Sequence, residues 1–165
     1  MLEVIWDERT RAALEQLPAG AFLTAAHDGV VNTMTIGWGS IGIFWGKPIL
    51  TVVVRPQRFT HGLLAASGEF TVSIPHGDLV EELAYCGSRS GREGDKLAAC
   101  GLTTQPGRVL ATPVIAGGGL HFECRVVHSQ VFEAARLDPA IAAACYPGGD
   151  FHTQFFGEIL ASYSD

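Results

Sequence analysis

Alternating hydrophobic and polar positions predict a chain that begins with short strands. The β-rich runs 21–26 and 30–37 flank the pair Asp28-Gly29. An Asp-Gly pair between two strands favours a tight turn, because both residues tolerate positive φ angles. The first part of the chain therefore predicts a β-hairpin.

The middle of the chain predicts a buried strand followed by a helix. Residues 49–54 form an apolar, β-branched run, which is typical of a strand buried on both faces. Residues 59–67 predict a helix that buries Leu63 and Leu64 and ends at Gly68. The short connection between the two elements lies at the exit of the strand and the entry of the helix.

A further strand and helix follow. Residues 70–74 predict a strand, and Asp78 is the expected N-cap of a helix that turns Leu79 and Leu83 inward. A polar, glycine-rich loop is expected over residues 87–94.

The remaining elements complete a mainly β pattern. We expect a short helix over 7–17, a strand near Val114, a long strand over 121–132 and a closing strand over 155–163. Several short strands joined by turns, with few helices, favour a closed antiparallel barrel with helices around it.

Length and composition indicate one soluble domain over residues 1–165. The chain is 47% hydrophobic, which suits a single substantial core. It contains no apolar run of the roughly 20 residues that a membrane helix needs. The first ten residues lack the layout of a signal peptide, so we expect a cytoplasmic protein.

The net charge and the cysteine spacing limit the kinds of ligand and the cysteine roles that the sequence predicts. The net charge of −6 argues against nucleic-acid binding, which requires a basic surface, but it allows a local anion site. The cysteines form no C-x-x-C pair, so we interpret them as reduced thiols that serve mostly as small core residues. They are Cys86, Cys100, Cys124 and Cys145.

The first candidate binding segment, 32–40, lies at the end of a predicted strand. It combines amide and hydroxyl side chains with glycines, which suits a planar ligand that forms hydrogen bonds. Gly37 and Gly39 would let the ligand approach the backbone closely. The alternative is a strand with a threonine-rich outer face and a glycine bulge.

The second candidate segment carries Arg55 and Arg58 at the entry to the predicted helix 59–67. Guanidinium groups and a helix N-terminus both favour negative charge, so the segment predicts an anion site. Thr60 can add a hydroxyl donor. The alternative is that both arginines are solvated loop charges.

The third candidate segment, 86–96, combines serines, glycines and basic residues, which suits a phosphate. It lacks the spacing of a Walker loop, and the alternative is a flexible surface loop. The three segments together indicate a bound anion with a flat aromatic body, and FMN has that shape.

Other chemistries find little support. No G-x-S-x-G motif or cysteine-protease signature is present, so the sequence does not support a hydrolase. Strand alternation puts His121 and Cys124 on opposite faces, so no zinc site is expected. Residues 37–42 have the spacing G-x-G-x-x-G, but no helix is predicted after them as a Rossmann fingerprint requires, so a nicotinamide would bind only transiently. His152 is a further candidate for ligand contact.

Nine short blocks occur in a characteristic order along nearly the whole chain after the first helix. They are Asn32-x-Met34-Thr35-Ile36-x-Trp38, Trp45-Gly46-Lys47-Pro48, Val54-Arg55-Pro56-x-Arg58-Phe59-Thr60, Ser67-Gly68-Glu69-Phe70-Thr71-Val72, Cys86-Gly87, Ser90-Gly91-Arg92, Asp95-Lys96, His152-Thr153 and Phe156-Gly157-Glu158-Ile159. Through them the sequence resembles the flavin reductase-like family that includes flavoredoxin. It departs from the family pattern at Gly94 and Gln154.

The resemblance implies an antiparallel, Greek-key-like split β-barrel that dimerises and binds FMN between subunits. The flavin would carry the hydride and electron chemistry, and the protein would position it. The residues that the resemblance and the three segments assign to FMN are Asn32, Thr33, Met34, Thr35, Ile36, Gly37, Trp38, Arg55, Arg58, Phe59, Thr60, Ser88, Ser90, Gly91, Arg92, Lys96 and His152.

Three functions fit these expectations. The leading hypothesis is an NAD(P)H-dependent flavin reductase or flavoredoxin-like oxidoreductase. The second is an electron carrier that exchanges electrons with a redox partner protein and never meets nicotinamide. The third is a flavin-binding module without turnover. The expected barrel is also similar in broad architecture to pyridoxamine-phosphate oxidase relatives, although the quoted blocks point away from them.

Overall fold

A computed structural model describes residues 8–165. Helix α1, Glu8–Gln16, continues into a 3₁₀ turn, Leu17–Ala19. This confirms the predicted N-terminal helix from residue 8 onward, while its expected first residue, Asp7, lies outside the described residues. None of the helices in the described range is long and apolar enough to cross a membrane.

Nine strands and four further helices follow α1 in the described part of the chain. The strands are β1 Ala21–His27, β2 Val30–Ile36, β3 Gly39–Phe44, β4 Lys47–Val54, β5 Glu69–Ile74, β6 Thr104–Gln105, β7 Val114–Ile115, β8 Leu120–Val131 and β9 Thr153–Ser164. The helices are α2 Phe59–Ser67, α3 Val80–Ser88, α4 Lys96–Cys100 and α5 Pro139–Cys145.

Within residues 8–165 one antiparallel sheet has the strand order β2-β1-β5-β8-β9-β4-β3. The two edge strands, β2 and β3, do not pair with each other. The predicted closed barrel is therefore wrong, and the open sheet fits the split barrel that the resemblance implies. Apolar side chains explain the opening, because Ala13 and Leu17 line an apolar crevice together with Ile36 of β2 and Ile41 of β3.

The predicted hairpin and the helix after the buried strand are confirmed. Asp28 and Gly29 both have positive φ angles, 49° and 78°, as the tight turn between β1 and β2 requires. Helix α2 has the predicted limits, buries Leu63 and Leu64, and ends at Gly68 in the left-handed conformation. The other predicted strands also form, with ends that differ from the prediction by a few residues.

Five details differ from the predictions. The sequence does not predict strands β3 and β6 or helices α4 and α5. Leu79, not Asp78, occupies the N-cap position of α3. Leu79 packs against a small apolar cluster that contains Leu83 and Cys86, so its burial fixes where the helix begins. This cluster lies beside the main core of the sheet and supports the start of the glycine-rich loop.

Candidate functional site

A cleft with two connected lobes lies at the end of β2. The lobes share Met34, Arg55 and Arg58 and have volumes of about 220 Å³ and 300 Å³. The first, here called the strand lobe, is lined by Met34, Thr35, Ile36, Gly37, Trp38, Val53, Arg55, Arg58 and His152. The second, the loop lobe, is lined by Asn32, Met34, Arg55, Gln57, Arg58, Phe59, Thr60, Ser88, Arg89, Ser90, Gly91, Glu93 and Lys96.

One wall of the strand lobe is an edge of the sheet. In the described residues β2 pairs with β1 alone. Alternate backbone N–H and C=O groups of such a strand face away from its partner and stay available for hydrogen bonding. Trp38, which follows β2, exposes 51% of its surface and offers a flat apolar face. This wall suits a planar, heterocyclic ligand.

The lining of the strand lobe also contains a neutral histidine. The ring of His152 lies 5.3 Å from the ring of Trp38, and its Nδ1 is 2.6 Å from the Tyr146 hydroxyl. Burial, reinforced by the nearby Arg55 charge, lowers the pKa of His152 to about 4. The imidazole is therefore neutral at pH 7, and it can exchange hydrogen bonds with a ligand without adding a charge.

Arg55 is held by the last residue of α5 and by the segment after it. Its guanidinium group forms an ion pair with Asp150 and donates a 2.9 Å hydrogen bond to the Cys145 carbonyl. It also lies 5.1 Å from the centre of the Tyr146 ring. The Asp150 carboxylate already offsets the Arg55 charge, and the Cys145 carbonyl occupies one of its hydrogen-bond donors.

The Arg58 guanidinium group has fewer partners than that of Arg55. It donates a 2.9 Å hydrogen bond to the Gly87 carbonyl, and Arg58 occupies the N-cap position of α2. The Arg58 side chain makes no capping hydrogen bond with this helix, and the first N–H groups of a helix without such a cap can bind a ligand. A guanidinium group beside an uncapped helix N-terminus favours an anion.

The floor of the loop lobe is polar and tightly packed. Asn32 donates a 2.7 Å hydrogen bond to Thr60 Oγ1. Gly91 lies directly against Asn32 and Phe59, and a Cβ atom there would come within 2.6 Å of the Phe59 ring. Only glycine lets the loop approach this floor so closely.

A buried lysine closes the loop. Lys96, 5% exposed, donates hydrogen bonds from Nζ to the carbonyls of Cys86, at 3.1 Å, and Arg89, at 3.3 Å. Burial lowers the pKa of Lys96. An anion in the loop lobe would favour its charged form. Lys96 therefore organises the loop and also faces its lobe.

The structure brings together all the sequence-assigned site residues except Thr33 and Arg92. Thr33 is fully buried, and its hydroxyl donates to the Leu23 carbonyl, away from the cleft. Arg92 is exposed and bonds the Gln57 carbonyl at 2.7 Å, which ties the loop to the start of α2. Gly39 does not approach the cleft either: a Cβ atom there would meet the Thr51 carbonyl of β4, so its small size serves strand packing.

Four further residues line the cleft that the sequence does not assign to it. Arg89 and Gln57 lie within segments that the sequence singled out, so their neighbours carried the available signal. Val53 belongs to an apolar run that predicts only core. The missed residues are Val53, Gln57, Arg89 and Glu93.

No group of three or more His, Cys, Asp or Glu side chains within residues 8–165 is arranged to hold a metal ion. The lining of the cleft offers basic side chains, backbone groups and aromatic rings. A ligand with an anionic end and a flat end matches that distribution.

Comparisons with known proteins give related flavin proteins. The model of the flavin reductase-like domain family matches residues 14–165. Flavoredoxin from Methanosarcina acetivorans is 30% identical with a TM-score of 0.69, and the match covers 88% of this chain and 68% of that one. An FMN-binding protein from Thermus thermophilus, solved with bound 1-cyclohex-2-enone, is 26% identical with a TM-score of 0.69, over 87% and 68% of the two chains. These structures confirm the split-barrel fold.

A sequence relative shows how the lengths compare. An uncharacterised protein from Archaeoglobus fulgidus is 30% identical over 129 residues. The match covers 78% of this chain and 63% of that protein, so the chain spans less than two thirds of this relative's length.

Proposed function

The chain belongs to the flavin reductase-like family, and on that premise we propose that it binds FMN in the two-lobed cleft as an oxidoreductase supplied by NAD(P)H. The observation that carries the proposal is the continuity of the cleft. It runs from the unpaired edge of β2 to a basic loop lobe at the N-terminus of α2. Both ends of one FMN molecule thus find suitable groups.

The loop lobe fits the phosphate. Arg58, Arg89 and Lys96 line it together with Thr60, while Glu93 is its acidic member. Guanidinium groups and backbone N–H groups at a helix start are strong partners for phosphate oxygens. The close approach of Gly91 to the floor leaves the remaining space to the ligand.

The strand lobe fits the flavin ring. Residues 34–38 can offer backbone groups to the polar edge of the ring, and Trp38 can cover an apolar face. FMN, when bound, supplies the hydride and electron transfer. Neutral His152 would hold a hydrogen bond at the ring or at the acceptor, and it would not repel the cationic nicotinamide that hydride transfer leaves behind. The single domain and the cytoplasmic location stay predictions from the sequence.

A visible spectrum tests the proposed function. We expect the purified protein, reconstituted with FMN, to show flavin absorption bands that bleach when NADH or NADPH is added without oxygen. Free FMN at the same concentration is the control for uncatalysed reduction. Bands that persist with both nucleotides would favour the electron carrier or the module without turnover. Failure to take up FMN would contradict the whole proposal.

We further propose that the protein is a homodimer, because an aromatic patch is exposed on the β3–β4 hairpin. Ile43, Phe44 and Trp45 are 57%, 47% and 62% exposed. Phe44 and Trp45 also contact the Phe156 ring, at 5.5 and 5.9 Å between centroids. Monomeric proteins rarely expose contiguous apolar patches of this kind, and a second copy of the chain is the partner that the family resemblance implies.

Phe44→Glu should convert the dimer to a monomer, because a charge in the middle of an apolar interface is costly to bury. Gel filtration with light scattering would measure the change. Since FMN is proposed to lie between subunits, the variant should also lose bound flavin. Val80→Glu, at a 69% exposed apolar position on α3, is the matched control and should remain dimeric. A monomeric wild-type protein with full flavin occupancy would contradict the interface.

A further inference from the structure

Helices α3 and α4 bring two thiols together beneath the loop lobe. Cys86 is fully buried on α3, and Cys100 is the half-buried last residue of α4. Cys100 packs against the apolar cluster that contains Cys86, and it is among the groups that raise the pKa of Cys86. Both cysteines are free.

The segment between these cysteines is the loop of the proposed phosphate site. It contains every loop residue that lines the lobe, from Ser88 to Lys96. Lys96 donates a hydrogen bond to the carbonyl of Cys86 itself. A bond between the two sulfur atoms would therefore close a covalent ring around the loop and act on the residue that anchors it.

We propose that Cys86 and Cys100 form a reversible disulfide with small disulfides, and that this bond lowers the affinity of the loop lobe for FMN. The second half of this proposal rests on the proposed function, whereas the first half does not. Nothing in the proposed flavin chemistry uses either thiol.

The reaction proceeds by two exchanges with glutathione disulfide as the oxidant. Cys100, the more accessible thiol, attacks as thiolate, and one glutathione leaves. The Cys86 sulfur, after losing its proton, then attacks the Cys100 sulfur of the mixed disulfide, and the second glutathione leaves. The two cysteines together lose two electrons and two protons, and the oxidant becomes two glutathione molecules. Burial raises the pKa of Cys86 to about 12, so this thiol is a slow nucleophile and reacts only once the mixed disulfide holds the Cys100 sulfur beside it.

The bond would alter the anion site because it shortens a non-bonded contact. A disulfide has an S–S length of about 2.05 Å, well below the separation of two thiols in contact. The end of α4 must then move towards α3. Lys96, at the start of the same short helix, would shift relative to the carbonyls of Cys86 and Arg89.

The first part of the experiment maps disulfides on the flavin-free, full-length protein after incubation with glutathione disulfide. We expect mass spectrometry of unreduced peptides to show a Cys86–Cys100 link that dithiothreitol removes. Cys145→Ser, which removes another half-buried thiol, should keep the link, and Cys100→Ser should abolish it. Glutathione attached to Cys100 without a link, or links between other pairs, would overturn the proposal.

The second part titrates FMN into the reduced and oxidised proteins and follows the quenching of flavin fluorescence. We expect oxidation to weaken binding by about tenfold, the effect of losing one hydrogen bond to a charged group, and reduction to restore it. Cys100→Ser should bind FMN equally before and after oxidant. A linked protein with unchanged affinity would overturn the proposed control of the site. Reduced protein that binds no FMN would instead refute the proposed function, while the peptide map would still decide whether the disulfide forms.

Discussion

Replacing Glu123 with glutamine should lower the free energy of unfolding by about 3–5 kcal/mol, because a buried carboxylate and its donors would lose their match. Glu123 is fully buried on β8. Its oxygens accept hydrogen bonds from the backbone N–H groups of Arg108, Val109 and Leu110 at 2.6–2.9 Å, and from the Tyr163 hydroxyl at 2.7 Å. A glutamine would turn its own NH₂ group towards at least one of these donors. Urea denaturation would measure the loss.

A surface carboxylate provides the control for this substitution. Glu133 pairs with Arg136 in an exposed contact of 2.9 Å, so Glu133→Gln should change stability by no more than about 0.5 kcal/mol. A loss below about 1 kcal/mol for Glu123→Gln would show that water or another acceptor replaces the carboxylate.

The pH dependence of the free energy of unfolding provides an independent test of the role of Glu123. Burial alone would raise the pKa of Glu123, but the bonds from Tyr163 and the three backbone N–H groups outweigh it and hold the pKa below the ordinary value of 4.5. A depressed carboxyl pKa contributes stability above the ordinary pKa, and this contribution is lost as the pH falls through the folded-state pKa. The wild type should therefore lose stability faster than Glu123→Gln below pH 4.5, and the difference between them should shrink.

The sequence predicts local elements well where their own residues determine them. Asp28-Gly29 forces the first hairpin, and Gly68 ends α2, because each position needs a positive φ angle. The turn between β3 and β4 instead places Trp45 at a φ angle of 54°, a conformation that tryptophan rarely adopts. Strand β3 is also exposed or half-exposed throughout, so it carries no alternating pattern. Both facts hide this hairpin from sequence analysis.

Helix α5 illustrates a second limit. It has no buried residue, so no apolar face reveals it. Its only local signals are Asp138, which caps the N-terminus, and Pro139 in the first turn. The tertiary role of α5 lies in the Cys145 carbonyl and the segment after it, which hold an arginine ninety positions earlier in the chain.

The candidate site shows the same division. The blocks around Arg58 and Gly91 identify the segments of the cleft, since basic residues, hydroxyls and glycines cluster there. Their individual roles depend on long-range partners. Lysine is rarely buried, so the sequence offers no reason to expect Lys96 to bond two carbonyls inside the loop. Nor does it separate Arg55 from Arg58, which look equivalent along the chain.

Arg58→Ala should weaken FMN binding by about 1.5–3 kcal/mol, or roughly 10- to 100-fold, with little effect on folding. Among residues 8–165 the Arg58 guanidinium group donates one hydrogen bond, to the Gly87 carbonyl, so most of its donors can face a phosphate. Titration of FMN followed by flavin fluorescence would give the affinity, and urea denaturation would give the stability. Arg125→Ala removes the same charge from an exposed pair with Glu158 outside the cleft, and FMN affinity should stay unchanged.

Arg55→Ala should show the opposite balance. Removing this side chain leaves the Asp150 carboxylate and the Cys145 carbonyl without their shared partner, so the urea midpoint should fall. FMN affinity should fall less than in Arg58→Ala, because Asp150 already offsets the Arg55 charge. If Arg55→Ala instead lost the larger part of the affinity and kept its stability, the two arginines would exchange roles, and the Asp150 pair would have to open when FMN binds. If neither variant changed the affinity, the phosphate would not lie in the loop lobe, and the family's cofactor would have to occupy this chain in a different orientation.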